Sequence, residues 1–238
     1  MPTPDLTTML QHLIAVPSVS SVNAAWDQSN APVIDLLAQW FKDAGFAVEK
    51  LAVPGHPGKF NLLANRCGGP DGLVLAGHTD TVPYDEARWS SDPFRLTERD
   101  GRLYGLGTSD MKSFFALILE ALREVDLDKL QRPLVILATA DEESSMCGAQ
   151  ALVDAQRRLG RHAVIGEPTG LRPVRMHKGI AMEAIRLTGR SGHSSDPGIG
   201  NNALEGMHRV LGEILRWRAE LQTRYHNPLF KVPVPTLN

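Results

Sequence analysis

Cysteine is nearly absent from this chain. Cys67 and Cys147 are its only two among 238 residues, which excludes a disulfide-stapled scaffold. No run reaches the roughly 18 apolar residues a membrane span needs. The opening MPTPDLTTML has neither a positive n-region nor an apolar core, so it does not read as a secretory signal. Basic blocks are missing and the formal net charge is −2, so neither nucleic acid nor a membrane is an expected partner. There is no G-x-S-x-G nucleophile elbow. GLGTSD carries two glycines but not the full dinucleotide fingerprint. Internal repeats and low-complexity tracts are also lacking. These absences leave a cytoplasmic protein as the default expectation.

The apolar fraction of 42% is enough for a packed core, and 22% charged residues is ordinary. APVIDLLAQWFKDAG places Val33, Leu36, Leu37, Trp40 and Phe41 at helical spacing, with Gly45 as a stop. FAVEKLAV and FNLLANR read as strands around the turn PGHPGK, and LVLAG reads as a buried strand. The polar stretch from Tyr84 to Gly107 holds the turn ERDG and space for a short hairpin. MKSFFALILEALREV (helix), PLVILATA (strand), SMCGAQALVDAQRRLG (helix) and HAVIG (strand) then alternate. That order is the signature of an α/β fold, a mostly parallel sheet with helices on both faces. The character changes near Met176. IAMEAIRLTG is expected to be a strand and NALEGMHRVLGEILRWRAEL an amphipathic helix. That helix carries Ala203, Met207, Val210, Leu211, Ile214 and Leu215 on one stripe. LFKVPVPTLN is expected to be a further strand.

In an open parallel sheet, ligands bind beyond the carboxyl ends of the strands. LVLAG runs into His78 and Asp80, LVILATA into Asp141, Glu142 and Glu143, and HAVIG into Glu167, while LYGLGTSD delivers Asp110 to a helix start. Each has a plainer reading alone. A histidine after a strand is commonly a loop residue, Asp110 an N-cap, DEES a favourable acidic helix start, and EPTG a turn. Their coincidence at successive strand ends points elsewhere. So many carboxylates without counter-charge repel one another, and a divalent cation both relieves the repulsion and uses them as ligands. Histidine with carboxylate oxygens suits zinc, and one carboxylate can bridge two ions about 3.5–4 Å apart. The two-residue strand period puts Asp80 on the side of His78, placed to hold its other ring nitrogen. Cys147 reads as a small core residue rather than a nucleophile, because no histidine pairs with it by spacing.

The motifs GHTDTVP, LYGLGTSDMK, ATADEESS, IGEPTG and RSGHSSDP, in this order, resemble the di-zinc aminoacylase and deacetylase metallopeptidases. Within that family the match is closest to acetylornithine deacetylases, through DQSN, ARWSSDPF, RMHKG and RYH followed by VPVPTLN. The resemblance implies a di-zinc aminopeptidase-like fold. Residues 1–175 would be the N-terminal portion of a metal-binding catalytic domain, and 176–238 the start of an α+β lid or dimerisation domain. It implies two divalent ions, zinc or alternatively cobalt. His78 and Glu167 would hold the first, Glu143 the second, and Asp110 would bridge both. Glu142 would be the general base and Asp80 would orient His78. The Asp110–Met111 peptide would be cis. His193 would steady the oxyanion in a neighbouring subunit of a homodimer. The implied reaction is removal of the acetyl group from N-acetyl-L-ornithine, a step of arginine biosynthesis.

Members of the family run well past PTLN, and that later part supplies the last histidine of the second metal. His208 and His226 fall in the lid segment and do not match it. The chain therefore reads as C-terminally truncated, with bare sheet edge and apolar surface, and inactive or nearly so alone. Two alternatives stay open. One is another deacylase or dipeptidase of the family, such as a desuccinylase, or a general aminoacylase. The other is a metal-binding remnant without turnover.

Overall fold

The computed structural model describes residues 4–181 and 183–237. The chain divides into two compact units, Met1–Leu171 and Arg172–Asn238.

The first unit is mixed α/β. Helix α1 (Leu6–Ala15) is capped by Asp5, whose carboxylate accepts from the Thr8 amide at 3.1 Å. Helix α2 (Ala31–Asp43) carries a proline in its first turn and buries Val33, Ile34, Leu37, Trp40 and Phe41 on one stripe. The five-stranded sheet is built from β1 (Ala47–Ala52), β2 (Phe60–Arg66), β3 (Leu73–His78), β6 (Leu134–Thr139) and β7 (His162–Ile165), in the order β1-β2-β6-β3-β7. It is parallel through β6, β3 and β7 and antiparallel through β1 and β2. Strands β4 (Thr97–Arg99) and β5 (Arg102–Tyr104) form the small hairpin expected around ERDG, with Asp100 and Gly101 both at positive φ.

Helices α1, α2 and α3 (Ser113–Leu122) cover one face, joining Leu13, Phe41 and Phe115 to Leu62, Ala64, Ile136 and Ala138 in one apolar cluster. Alternation sends Leu63, Val74 and Val135 to the other face. Helix α4 (Cys147–Asp154) docks at the end of that face. There Asn61 donates to the Gly148 carbonyl at 2.8 Å and accepts from the Ala140 amide at 3.1 Å. Strand β7 is different: all four of its residues are exposed, an unusual setting for a parallel strand. Beside it an apolar groove of about 1360 Å³ runs along α3, lined by Phe114, Leu117, Ala121, Leu122 and Val164.

The second unit contains helix α5 (Ala203–Arg224), whose N-cap Asn202 accepts from the Leu204 amide at 2.9 Å. The strands expected over residues 180–189 and 229–238 are not formed in their described residues; between those ranges, isolated bridges join Arg190 to Asn201 and His193 to Asp196. The first segment is rich in apolar residues, but Ile180 and Ile185 are 79% and 53% exposed. A strand without a ladder partner is not stable on its own. No helix among the described residues is long and apolar enough to cross a membrane.

Candidate metal centre

The carboxyl edge of the sheet is where the polar chemistry collects. His78 ends β3, pairs in register with Thr139 at the end of β6, and is 1% exposed. Its Nε2 lies 2.9 Å from Asp110 Oδ1, 3.7 Å from Glu167 Oε1 and 3.9 Å from Glu142 Oε2. Two sets of potential ligand atoms fall within 4.8 Å of one another: His78 with Asp110 and Glu143, and His78 with Glu142 and Glu167. All six residues expected here from the first unit, Asp80 included, are thus brought together. The grouping differs from the two ligand sets implied by the resemblance. Glu143 shares a set with His78, and Glu142, the expected base, shares one with Glu167. Strand ends 3, 6 and 7 all converge on one imidazole, so the consecutive residues Glu142 and Glu143 both reach it.

The approach of Asp110 depends on close packing. A Cβ on Gly77 would meet Met111 Cε at 2.7 Å and Phe115 Cζ at 3.1 Å, so glycine there lets the segment before α3 lie against β3. The Asp110–Met111 peptide bond is cis. Asp80 has a larger part than the sequence suggests. Its backbone carbonyl, at 3.0 Å, is the nearer partner of His78 Nδ1, with the carboxylate oxygen at 3.5 Å. The carboxylate instead accepts from the backbone amides of Glu142 and Glu143 at 3.2 and 3.0 Å. One residue thereby fixes both the imidazole and the turn carrying two of the acids.

The electrostatics follow from crowding. Burial pushes the His78 imidazole down, but Asp80, Asp110 and Glu142 hold its proton more strongly, and its pKa rises to about 9. Burial and the charges of Asp110 and Glu142 push Glu143 up to about 7, with His78 offsetting part of the rise. Burial and the same carboxylates also raise Glu167. A cluster whose anions are short of positive charge, built from one imidazole and several carboxylate oxygens, is a donor set that fits a divalent cation.

Asp141 stands apart. It turns away to Lys59, whose ammonium donates to Asp141 Oδ1 at 2.7 Å. Asp141 also belongs to a third set, with His56 and Cys147. In that set it already has an internal cation, and burial raises the Cys147 thiol, so the neighbourhood is satisfied by protein groups. Lys59 and Asn61 were not singled out from the sequence. In KFN they look like ordinary turn and strand residues, and the usable signal was that three consecutive acids cannot all face one centre. His193 lies in the second unit, exposed, its Nδ1 2.7 Å from Ser195 Oγ.

Residues 74–234 match the sequence profile of peptidase family M20/M25/M40. Among solved structures, the chain is similar to human carnosine dipeptidase 1, at 23% identity and a TM-score of 0.55, over 67% of this chain and 37% of that one. It is also similar to an M20 family metallo-carboxypeptidase from Sulfolobus solfataricus, at 20% identity and a TM-score of 0.57, over 68% of this chain and 37% of that one. A tripeptidase from Staphylococcus aureus matches at 19% identity and a TM-score of 0.55, over 87% of this chain and 55% of that one. At these identities the likeness is one of fold, and this chain spans little more than a third of the first two proteins.

Proposed function

The chain belongs to peptidase family M20/M25/M40, and from that premise we propose that it is the metal-binding part of an amide hydrolase that removes the acetyl group from N-acetyl-L-ornithine, giving ornithine and acetate. The observation that carries this reading is the meeting of Asp110, Glu142 and Glu167 around the buried imidazole of His78. The choice of substrate rests on the wider sequence match described above.

His78, Asp110 and Glu167 would hold a first divalent ion, zinc or cobalt, and Asp110 with Glu143 a second. Such ions supply Lewis acidity and make a water acidic enough to yield hydroxide near neutrality. The chain's own residues do the remaining work. Glu142 takes a proton from the attacking water and returns it to the leaving amine. Asp80 keeps the His78 ring and the amides of Glu142 and Glu143 in place. His193, contributed by a partner subunit of a homodimer, would steady the developing oxyanion. We place the protein in the cytoplasm on the same reading.

A second reading is favoured by the structural neighbours, which include a dipeptidase, a carboxypeptidase and a tripeptidase. The two separate on a substrate panel. The purified chain, supplied with zinc or cobalt, is offered N-acetylornithine, N-succinylated amino acids and dipeptides, and amine release is followed. N-acetylornithine should be cleaved fastest. Faster cleavage of a dipeptide would move the assignment to a peptidase.

A further inference from the structure

Lys59 sits just before β2, with its side chain 5% exposed. Its ammonium has three hydrogens and three acceptors: Asp27 Oδ1 at 2.7 Å, the Gln28 carbonyl at 2.8 Å and Asp141 Oδ1 at 2.7 Å. Its own backbone is pinned as well, since its carbonyl accepts from the Val53 amide at 3.0 Å and its amide donates to the His56 carbonyl at 3.1 Å. Asp141, the residue it grips in the turn after β6, adopts φ +54. Aspartate tolerates that left-handed conformation better than most side chains, and here its carboxylate is also held in place by Lys59. The next two residues are Glu142 and Glu143, whose amides are bound by Asp80. The turn is therefore held from two sides, by Asp80 through the backbone and by Lys59 through the Asp141 side chain.

The far end of the Lys59 network returns to the same place. Gln28 and Val19 are joined by two hydrogen bonds, Gln28 amide to Val19 carbonyl at 2.8 Å and Val19 amide to Gln28 Oε1 at 2.9 Å. Ser20 donates its amide to the Thr81 carbonyl at 2.9 Å, next to Asp80, and its hydroxyl meets that of Ser144 in the acid-bearing turn.

We propose that Lys59 is a positioning residue: by tying Asp27, Gln28 and Asp141 together it sets the turn over residues 140–146 so that Glu142 and Glu143 face the imidazole of His78. The assignment rests on the metal-centre reading for its purpose, but the clamp itself is a property of the metal-free chain. A purely structural lysine would only neutralise Asp141. A positioning lysine is needed for its geometry even when that charge is removed.

The test therefore uses K59M and the charge-balanced double variant K59M/D141N in the full 238-residue chain. Amide hydrogen exchange is read by NMR without metal at Glu142 and Glu143, with Ile136 and Leu137 of β6 as the reference for global opening. We expect exchange at Glu142 and Glu143 to quicken at least about tenfold in both variants while the β6 amides keep their rates. Cobalt affinity, from the visible spectrum of the bound ion, should fall about tenfold in the double variant. Wild-type exchange rates at both glutamates overturn the proposal. So does recovery of protection in the double variant, which would reduce Lys59 to a counter-charge. If K59M does not fold, the double variant decides alone by the same criterion. If the wild-type chain binds no cobalt, the metal-centre reading fails while the exchange data still decide the role of Lys59.

Discussion

Titrating zinc or cobalt into the metal-free chain should release protons, and the structure sets how many. A ring nitrogen must be free of its proton to bind an ion. The His78 imidazole, pushed down by burial but held up further by Asp80, Asp110 and Glu142, has a pKa of about 9. At pH 7 it lies two pH units below that value and is almost wholly protonated. Apparent affinity should therefore be about a hundredfold below its alkaline limit, a cost of about 2.7 kcal/mol. His78 is 1% exposed, so solvent screening does not reduce this much. Glu143, at about 7, is then half protonated and adds about half a proton when it binds the second ion. Calorimetry in buffers of different ionisation enthalpy should count about 1.5 protons released in total over both ions at pH 7, nearer two at pH 6 and nearer one at pH 8. Affinity should rise with pH throughout. Release of less than about half a proton at pH 7, or affinity flat between pH 6 and 8, would remove His78 from the ligand set. The same two groups act on folding of the metal-free chain in one direction. Both pKa values are raised by folding. Their contribution is thus full at low pH and is lost as pH rises, through about 7 for Glu143 and about 9 for His78.

Four further outcomes are expected. E142Q should keep its metal stoichiometry but lose at least about a hundredfold of amide hydrolysis, and normal turnover with metal bound would remove Glu142 as the base. D80N puts an amide group where the backbone N–H groups of Glu142 and Glu143 need an acceptor. It should cost about 2 kcal/mol in urea unfolding and weaken cobalt binding about tenfold. G148A would set a methyl 2.5 Å from Asn61 Oδ1 and 2.6 Å from the Ala140 backbone. It should cost about 2 kcal/mol of stability, read as a lower urea midpoint at unchanged m-value. Lys112, wholly buried and bonded to the Val16 carbonyl at 2.8 Å, is pushed down to about 7 by burial. Because folding depresses its pKa, its contribution is fullest above about 10.5 and is lost as pH falls through about 7. Relative to K112M, the wild type should gain stability on going from pH 6 to pH 10, and an unchanged difference would contradict the burial argument.

Much of this was legible because strong local signals agreed with the fold. The apolar runs of β3 and β6, the stripe of α2 and the turn at Asp100 were readable as written. The rule that ligands gather at strand carboxyl ends placed His78, Asp110, Glu142, Glu143 and Glu167 near one another. What escaped depends on partners. Residues 180–189 have the apolar content of a strand but no described ladder neighbour, and local composition cannot report a neighbour's absence. Burial of Lys59 arises from three acceptors drawn from two other segments, so nothing in KFN announces it. Asp80 was legible as a neighbour of His78, yet its hold on two amides some sixty residues along the chain exists only once β3 and β6 lie side by side.

Strand β7 has the composition of an interior element in a surface setting: Val164 and Ile165 are 50% and 61% exposed, beside the groove along α3. Its outer backbone groups and that groove offer any neighbouring molecule a place to stack and a greasy seat to fill. Samples of this chain should therefore be judged by how crowded they are. Dilute preparations would scatter little light, concentrated ones would thicken with time, and a lysine set into position 164 would delay that onset.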